Sequence, residues 1–397
     1  MAWKTSSASP TPANTAATGR RLSWDVIRVI ALGAVLLFHS TYWGPMVAPG
    51  IAKAPFEMPH QFGASTLLVV SGFFAAHTVR EYSGSRWWLR RMARLLPAYA
   101  VAVLVVFSAA HLFAPPEYYH PDAIDLIGNL LLLHMWIPGV NWVDGSFWTL
   151  PVQVGVFTAI ALLAYVRGAR GNRVAWVLWA VVAAPLIIRW AAMQHNPKPW
   201  LLILVDGSGL SRAHLFVAGV GVWLWSQQRI GSVHLVALMG AVLLAQDFHP
   251  PVEDSVFGLG VMLVLICLAA RGRDWDFPGL RQLARPIRWL AGISYGVYLL
   301  HQNIGYLIAR KFTDLGLSPW LSLAAFFGVA VLLGWVLTAW VERPAFRWLS
   351  PRTKPRRQPT SEMVTGPRAR RRPGDADPTL RGESLLSTDR QLSTDRQ

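Results

Sequence analysis

Arg28 and His39 stand eleven positions apart in one apolar run. On a helix, eleven steps of 100° make about three turns, so both side chains share one face, separated by roughly 16 Å of rise. Ionisable groups inside apolar spans are functional candidates by default. An imidazole, which normally titrates near neutrality, suits the removal of a hydroxyl proton better than any other side chain in that run. Two plainer readings stand beside this one. Arg28 could snorkel to the interface next to Asp25, three positions back, and His39, flanked by Phe38 and Ser40, could be a hydrogen-bonded structural histidine.

A second cluster is Arg86-Trp-Trp-Leu-Arg-Arg-Met-Ala-Arg94-Leu-Leu-Pro97. Arg91 and Arg94 are neighbours on a helical face, and Trp87 and Trp88 are expected in the headgroup zone. A basic loop needs no function beyond topology. The sharper expectation is that Arg91 and Arg94, with Arg86 and Arg90, grip phosphate groups through paired N–H donors, as guanidinium does and ammonium does not. Further short signals are Ser71-Gly72-Phe73, Phe147-Trp148-Thr149-Leu150-Pro151-Val152-Gln153, Gly292-Ile-Ser-Tyr-Gly-Val-Tyr-Leu-Leu-His301 and Glu342-Arg343-Pro344. Each is weak alone, since small residues at helix contacts and prolines near helix starts are routine in membrane bundles.

The elements that must hold these groups follow from composition. Of 397 residues, 53% are hydrophobic and 15% charged, against roughly 25% charged in soluble domains. Runs such as 26–43, 95–114 and 321–340 approach the roughly 20 apolar residues that span a bilayer. The expected fold is all-α, a polytopic membrane bundle of about ten transmembrane helices, and the expected location is the cell membrane. The spans are predicted near 24–43, 61–79, 95–114, 147–166, 174–193, 212–226, 230–247, 252–270, 291–309 and 319–340. The weakest pattern is at 201–226, where Asp206-Gly-Ser-Gly interrupts the apolar run.

Lys and Arg bias sets the sides. Arg20, Arg21, the loop Arg80 to Arg94, Arg167, Arg170, Arg173 and the loop Arg271 to Arg288 all fall inside if both termini are cytosolic. The stretch 115–146 carries Asp122, Asp125 and Asp144 but no Lys or Arg, and is placed outside or re-entrant. Its Tyr118, Tyr119, Trp136 and Trp142, with Trp148, could stack on sugar rings or pack at the interface.

The net charge of +16 is distributed between spans rather than along one face, which argues against a nucleic-acid partner. The single cysteine, Cys267, excludes an intrachain disulfide. Residues 1–20 read as a disordered leader before a retained first helix, 21–349 as the membrane domain, and 350–397, which end in a duplicated Leu-Ser-Thr-Asp-Arg-Gln, as a disordered basic and polar tail.

Taken in order, these signals resemble the acyltransferase-3 family of membrane acyltransferases. The resemblance rests on Arg28 and His39 with ten residues between them, Val70-Ser71-Gly72-Phe73, Arg91-x-x-Arg94-Leu-Leu-Pro, Phe147-Trp-Thr-Leu-Pro-Val, Ile293-Ser-Tyr-Gly-Val-Tyr-Leu-Leu-His301 and Val341-Glu-Arg-Pro. It covers about residues 20–349.

It implies an O-acyltransferase that takes an acyl group, acetyl being the expected one, from cytosolic acyl-CoA. The implied acceptor is a hydroxyl of a cell-envelope polysaccharide, a lipid-linked sugar or a glycosylated metabolite. No metal is implied. His39, Arg28, Arg91 and Arg94 match the family's functional positions. One departure is Gln153, where such proteins often carry Glu: an amide can hydrogen-bond but holds no charge and takes no proton.

On this reading the arginines hold the donor's phosphates while the thioester reaches past Arg28 to His39, the general base, with Asp25, Ser71, Trp148, Gln153 and His301 as supports. A covalent relay through His39 is the other route. A separate extracytoplasmic partner could complete the transfer. Two rivals from other classes stay open: a transporter or flippase of a lipid-linked sugar, and a non-catalytic membrane scaffold.

Overall fold

Lipid offers no partner to a backbone N–H or C=O, so apolar runs of this kind must satisfy their own ladders as helices. The computed structural model describes residues 21–163, 173–194, 199–248 and 254–350. Over these residues the chain is helical, with one isolated β-bridge between Gln61 and Asp254. The leader 1–20, Arg167, Arg170 and the tail from 351, with its duplicated hexapeptide, lie outside the described residues.

Among the described residues four helices are long and apolar enough to cross a membrane, or five if a bent pair counts as one span. The four are α1 (Leu22–Val47), α3 (Gly84–Phe113), α5 (Gly145–Leu163) and α13 (Pro319–Leu349). Between α1 and α3 lies the shorter apolar α2 (Gly63–Thr78), and before α5 the eight-residue α4 (Ala123–Leu130). Then come α6 (Arg173–Gln194) and the pair α7 (Pro199–Gly207) and α8 (Leu210–Ser226). This pair is bent by 59° where Asp206-Gly-Ser-Gly interrupts the pattern, with Gly209 at φ +73° making the corner. The remaining longer helices are α9 (Ser232–Asp247), α10 (Val256–Arg271), α11 (Ala284–Leu300) and α12 (Gln302–Asp314), with a single helical turn at Pro278–Gln282 before α11.

Close packing of glycine faces assembles the bundle, as expected where lipid tails are as apolar as leucine and van der Waals contact must drive association. A Cβ on Gly72 would meet the backbone of Phe216, and one on Gly219 the backbone of Val69 and Gly72, so α2 lies directly on α8. Gly296 and Gly334 lock α11 to α13 in the same manner, and α1 is wedged between α2 and α11.

Prolines mark two distortions in the helices. Residues His39–Trp43 and Thr338–Glu342 form π-turns, closed by Gly44 N–H to His39 O and by Arg343 N–H to Thr338 O. Each precedes a proline, Pro45 and Pro344. Proline has no N–H and its ring crowds the carbonyl four residues back, so the helix widens by one residue there, a distortion frequent at functional sites.

Residues 291–309, expected as one helix, are broken at His301. The backbone N–H of Asn303 donates to Asp144 at 3.0 Å, and its side-chain amide to the carbonyl of Val143 at 2.7 Å. These tertiary bonds replace the helical ladder at that point, and a new helix starts with Gly305 N–H on His301 O.

The start of α1 is capped from a distance. The carboxylate of Asp274, in the loop after α10, accepts the N–H groups of Leu22 and Ser23, each at 2.8 Å. Burial by itself would raise this carboxyl, but those N–H groups and that of Trp275 outweigh it and hold it below its ordinary range. A depressed folded pKa means that the contribution is present above the unfolded aspartate value of about 3.9 and is lost as pH falls through the lower folded value. Asp274→Ala is expected to cost about 1 kcal/mol, the usual loss of a helix cap. Thermal unfolding in detergent checks it: the deficit against wild type should stand at pH 7 and shrink towards zero as pH drops below 4.

Candidate active site

The helices leave a cavity of about 810 Å³, open at the end where α1 begins. Arg28 reaches it from α1, Ser71 and Phe74 from α2, Arg91 and Arg94 from α3, Gln153 from α5, Tyr295 and Tyr298 from α11, and Glu342 from α13. Arg21 and Arg343 line it too, so five arginines face one carboxylate, Glu342. Such an imbalance in a walled space favours an anion.

Each guanidinium is aimed by its neighbours. Arg91 donates to the carbonyl of Phe74 and the hydroxyl of Thr78, both at 3.0 Å, and lies over the rings of Trp87 and Phe157. Arg94 pairs with Glu342 at 3.2 Å; the carboxylate sits on the second π-turn, where Thr338 also bonds it. Arg28 is 3.5 Å from Asp25, whose side chain is buried, and its guanidinium stacks on Phe74. Ser71 donates to Gln153 at 3.5 Å.

Other expected members lie elsewhere. Arg86 is exposed and Arg90 packs over Tyr82 and Phe346; neither lines the cavity. Trp87, expected among headgroups, is buried against Phe157 because its indole N–H finds Thr78. A face of the Trp148 indole is covered by Arg212, itself in a buried ion pair with Asp254.

His39 is buried, on the first π-turn, and does not line the cavity. Its partner is His301 on the break between α11 and α12, the rings 4.9 Å apart and inclined by 69°. Tautomers follow from the partners, since a carbonyl only accepts. Nδ1 of His301 lies 2.7 Å from the carbonyl of Tyr298 and therefore carries the proton, which leaves Nε2 bare in the neutral ring. Nδ1 of His39 lies 3.0 Å from the carbonyl of Val35 and 3.2 Å from Nε2 of His301, so its proton is shared between two acceptors. In neutral His39, Nε2 is then a free lone pair, and among the described residues it makes no hydrogen bond.

Tyr298 joins the two halves. It lines the arginine cavity, its carbonyl holds His301, and its hydroxyl donates to Ser146 O at 3.1 Å. Asp144, fully buried, accepts from the N–H and hydroxyl of Ser146 and from Asn303 N–H, and so ties the start of α5 to the break that carries His301.

Sequence reasoning used Asp144 only as a topology marker and did not single out Tyr298. The signal available for the tyrosine was its place three residues before His301 in one motif. For the aspartate there was none, because its partner Asn303 is 159 residues away. Among the described residues no group of three or more His, Cys, Asp or Glu side chains is placed to hold a metal ion.

Comparison with known proteins now has a geometry to refer to. A family model described as an acyltransferase domain matches residues 21–339. Nodulation protein 10 of Rhizobium leguminosarum bv. viciae is 21% identical over 382 residues, covering 85% of this chain and 96% of that protein. Acyltransferase MdmB of Streptomyces mycarofaciens is 24% identical, covering 72% and 81%. Peptidoglycan O-acetyltransferase OatA of Listeria monocytogenes serovar 1/2a is 20% identical over 71% of this chain, which spans only 49% of that longer protein. No solved structure matches.

Proposed function

Because the chain belongs to the acyltransferase-3 family, whose domain model matches residues 21–339, we propose that it moves an acyl group, acetyl in the first instance, from acyl-CoA to a hydroxyl of a sugar-containing acceptor. The observation that carries this is the run from the five-arginine cavity through Tyr298 to His301 and the free Nε2 of His39. The Listeria relative, named as a peptidoglycan O-acetyltransferase, supports a sugar hydroxyl as the acceptor.

In the proposed orientation ten spans cross the cell membrane, both termini are cytosolic, and the cavity mouth faces the cytosol. Arg21 at the start of α1 bonds Gly272 in the basic loop 271–288, so both basic segments occupy one end of the bundle, in keeping with positive-inside bias. Arg91, Arg94 and Arg28 hold the donor's phosphates, with Arg21 and Arg343 adding charge at the mouth. The thioester extends inward past Ser71 and Gln153 to Tyr298, and on this proposal the reacting carbonyl passes beyond the inner end of the cavity to reach the His39–His301 pair, which the cavity lining does not include.

Nε2 of His39 accepts the proton of the acceptor hydroxyl as its oxygen attacks the thioester carbonyl. The C–S bond breaks, and the departing thiolate takes the proton from the imidazolium. His301 is a positioning residue: together with the Val35 carbonyl its bare Nε2 holds His39 in the tautomer and orientation that leave the reactive nitrogen free, and it stabilises the charged ring when it forms. Gln153 contributes hydrogen bonds but no charge.

Inside-out membrane vesicles given acetyl-CoA labelled in the acetyl group should release free CoA and place label on glycan, and mass spectrometry should find the acylated sugar. Neither should occur in vesicles without the protein. Movement of a lipid-linked sugar across the bilayer with no CoA release would instead identify a flippase and overturn the proposal.

A further inference from the structure

A second concavity, of about 480 Å³, runs between α9 and α10 on the outside of the bundle; it shares no lining residue with the arginine cavity and includes neither His39 nor His301. Its walls are aliphatic: Leu235, Val236, Met239 and Leu243 face Leu263, Val264 and Leu268. Two glycines, Gly240 and Gly260, make the room. A Cβ on Gly240 would meet nothing within 4 Å, and one on Gly260 only the tip of Leu243 at 3.9 Å. Val236, Val264 and Leu268 are all more than half exposed, so the groove opens sideways towards what surrounds the bundle.

One end of this groove is charged. Arg271 and Trp225 close it, the guanidinium 4.2 Å from the indole centroid, and the indole N–H is fixed by Ser232 at 3.1 Å. Among the described residues Arg271 has no carboxylate in ion-pair range. From Gly260 to Arg271 α10 rises eleven residues, about 16 Å, close to half of the roughly 30 Å hydrocarbon core. A groove one leaflet deep, ending in a tryptophan and an arginine with no carboxylate partner among the described residues, has the dimensions to take a single phospholipid and a charge complementary to an anionic headgroup.

We infer that the α9–α10 groove is a binding site for a membrane phospholipid with an anionic headgroup, one acyl chain lying along Gly240 and Gly260 and the phosphate meeting Arg271. The chain gains contact that lipid in a flat annulus lacks, because the glycines let it sink between the helices. The arginine adds the preference for net negative headgroups that basic residues show at membrane surfaces. This site does not depend on the catalytic reading, and it can fail or hold without it.

Native mass spectrometry of the full chain, equilibrated in detergent with chain-matched phosphatidylglycerol or phosphatidylcholine, tests the inference. Wild type should retain phosphatidylglycerol preferentially. Arg271→Gln should weaken that retention about fivefold, the effect of one basic group at an anionic surface, and bring it level with phosphatidylcholine. The double change Gly240→Leu and Gly260→Leu, whose Cβ atoms would meet nothing closer than 3.9 Å, puts side chains into the groove and should abolish retention of both lipids. Gly328→Leu, on α13 where a Cβ also meets nothing within 4 Å, is the control and should change neither. Equal retention by the filled groove, no headgroup preference in wild type, or a dimer that the double change dissociates would each overturn the inference.

Discussion

Exchange of His39 for alanine is expected to lower the rate of acyl transfer at saturating substrate by about 10²- to 10⁴-fold, the range of a general-base step. The KM values should move little, because Nε2 of His39 is engaged with the acceptor proton only as the bond forms. Rate should rise with pH through the titration of this imidazole, since only the neutral ring offers a lone pair, and the alanine variant should lose that limb.

His301 separates positioning from chemistry. His301→Leu removes one of the two acceptors for Nδ1–H of His39, leaves the Val35 carbonyl as the other, and lets the ring turn; a misplacement of this kind costs up to about 10²-fold. His301→Gln should recover most of the loss, as its amide can donate to the Tyr298 carbonyl and accept from His39. Steady-state kinetics on purified protein gives the comparison. If His39→Ala transfers as fast as wild type, the base is another group and the assignment fails; if leucine and glutamine at 301 behave alike, the histidine pair is packing alone.

The second large effect is expected at Arg91 and Arg94. Replacing either by lysine keeps a charge but removes the planar fork, and replacing both by alanine removes the charge as well. Charge-assisted hydrogen bonds contribute about 1.5–3 kcal/mol each, and 1.4 kcal/mol is tenfold in affinity. The single lysine variants should therefore raise KM for acyl-CoA by about 10- to 100-fold with a smaller change in kcat, and the effect of the double alanine variant should grow with falling salt.

Arg86→Ala and Arg90→Ala provide the contrast, because neither side chain lines the cavity. They should leave KM near wild type. Four equal responses would mean that these arginines serve topology only, and would remove the donor site from this cavity. Arg94 carries a further dependence: Glu342 holds it from the π-turn before Pro344, so Glu342→Gln should weaken donor binding through Arg94 although it removes a negative charge from an anion site.

Much of this was legible along the chain. Apolar length placed helical residues in each predicted range over its described residues, and four of the helices there are long and apolar enough to cross a membrane; an apolar run that must satisfy its own backbone has one local solution, which needs no knowledge of neighbours. The spacing of Arg28 and His39 placed both on one helix, and the ordered motifs identified the family that the domain match shows. Arg91, Arg94, Arg28, Ser71 and Gln153 do meet around one cavity, as residues on facing helices can when small side chains let the backbones approach.

What the linear pattern did not contain is the pairing. It took His39 to share a stripe with Arg28, yet the cavity holds only the arginine, and the histidine turns to His301, 262 residues away. It read 291–309 as one helix, where Asp144 pulls Asn303 out of the ladder and sets His301 on a break. It gave Trp87 and Trp88 to the headgroups, where Thr78 and Thr158 draw their N–H groups into the bundle.

By itself the sequence determined the apolar helices, the basic segments and the family, since each depends on composition or on residues within a few turns of one another. Only the tertiary structure decided which nitrogen of His39 is free, which arginines face the cavity, and that Tyr298 and Asp144 connect the two ends. Those depend on hydrogen bonds between side chains and backbone groups far apart in the chain, and no local periodicity encodes such a partner.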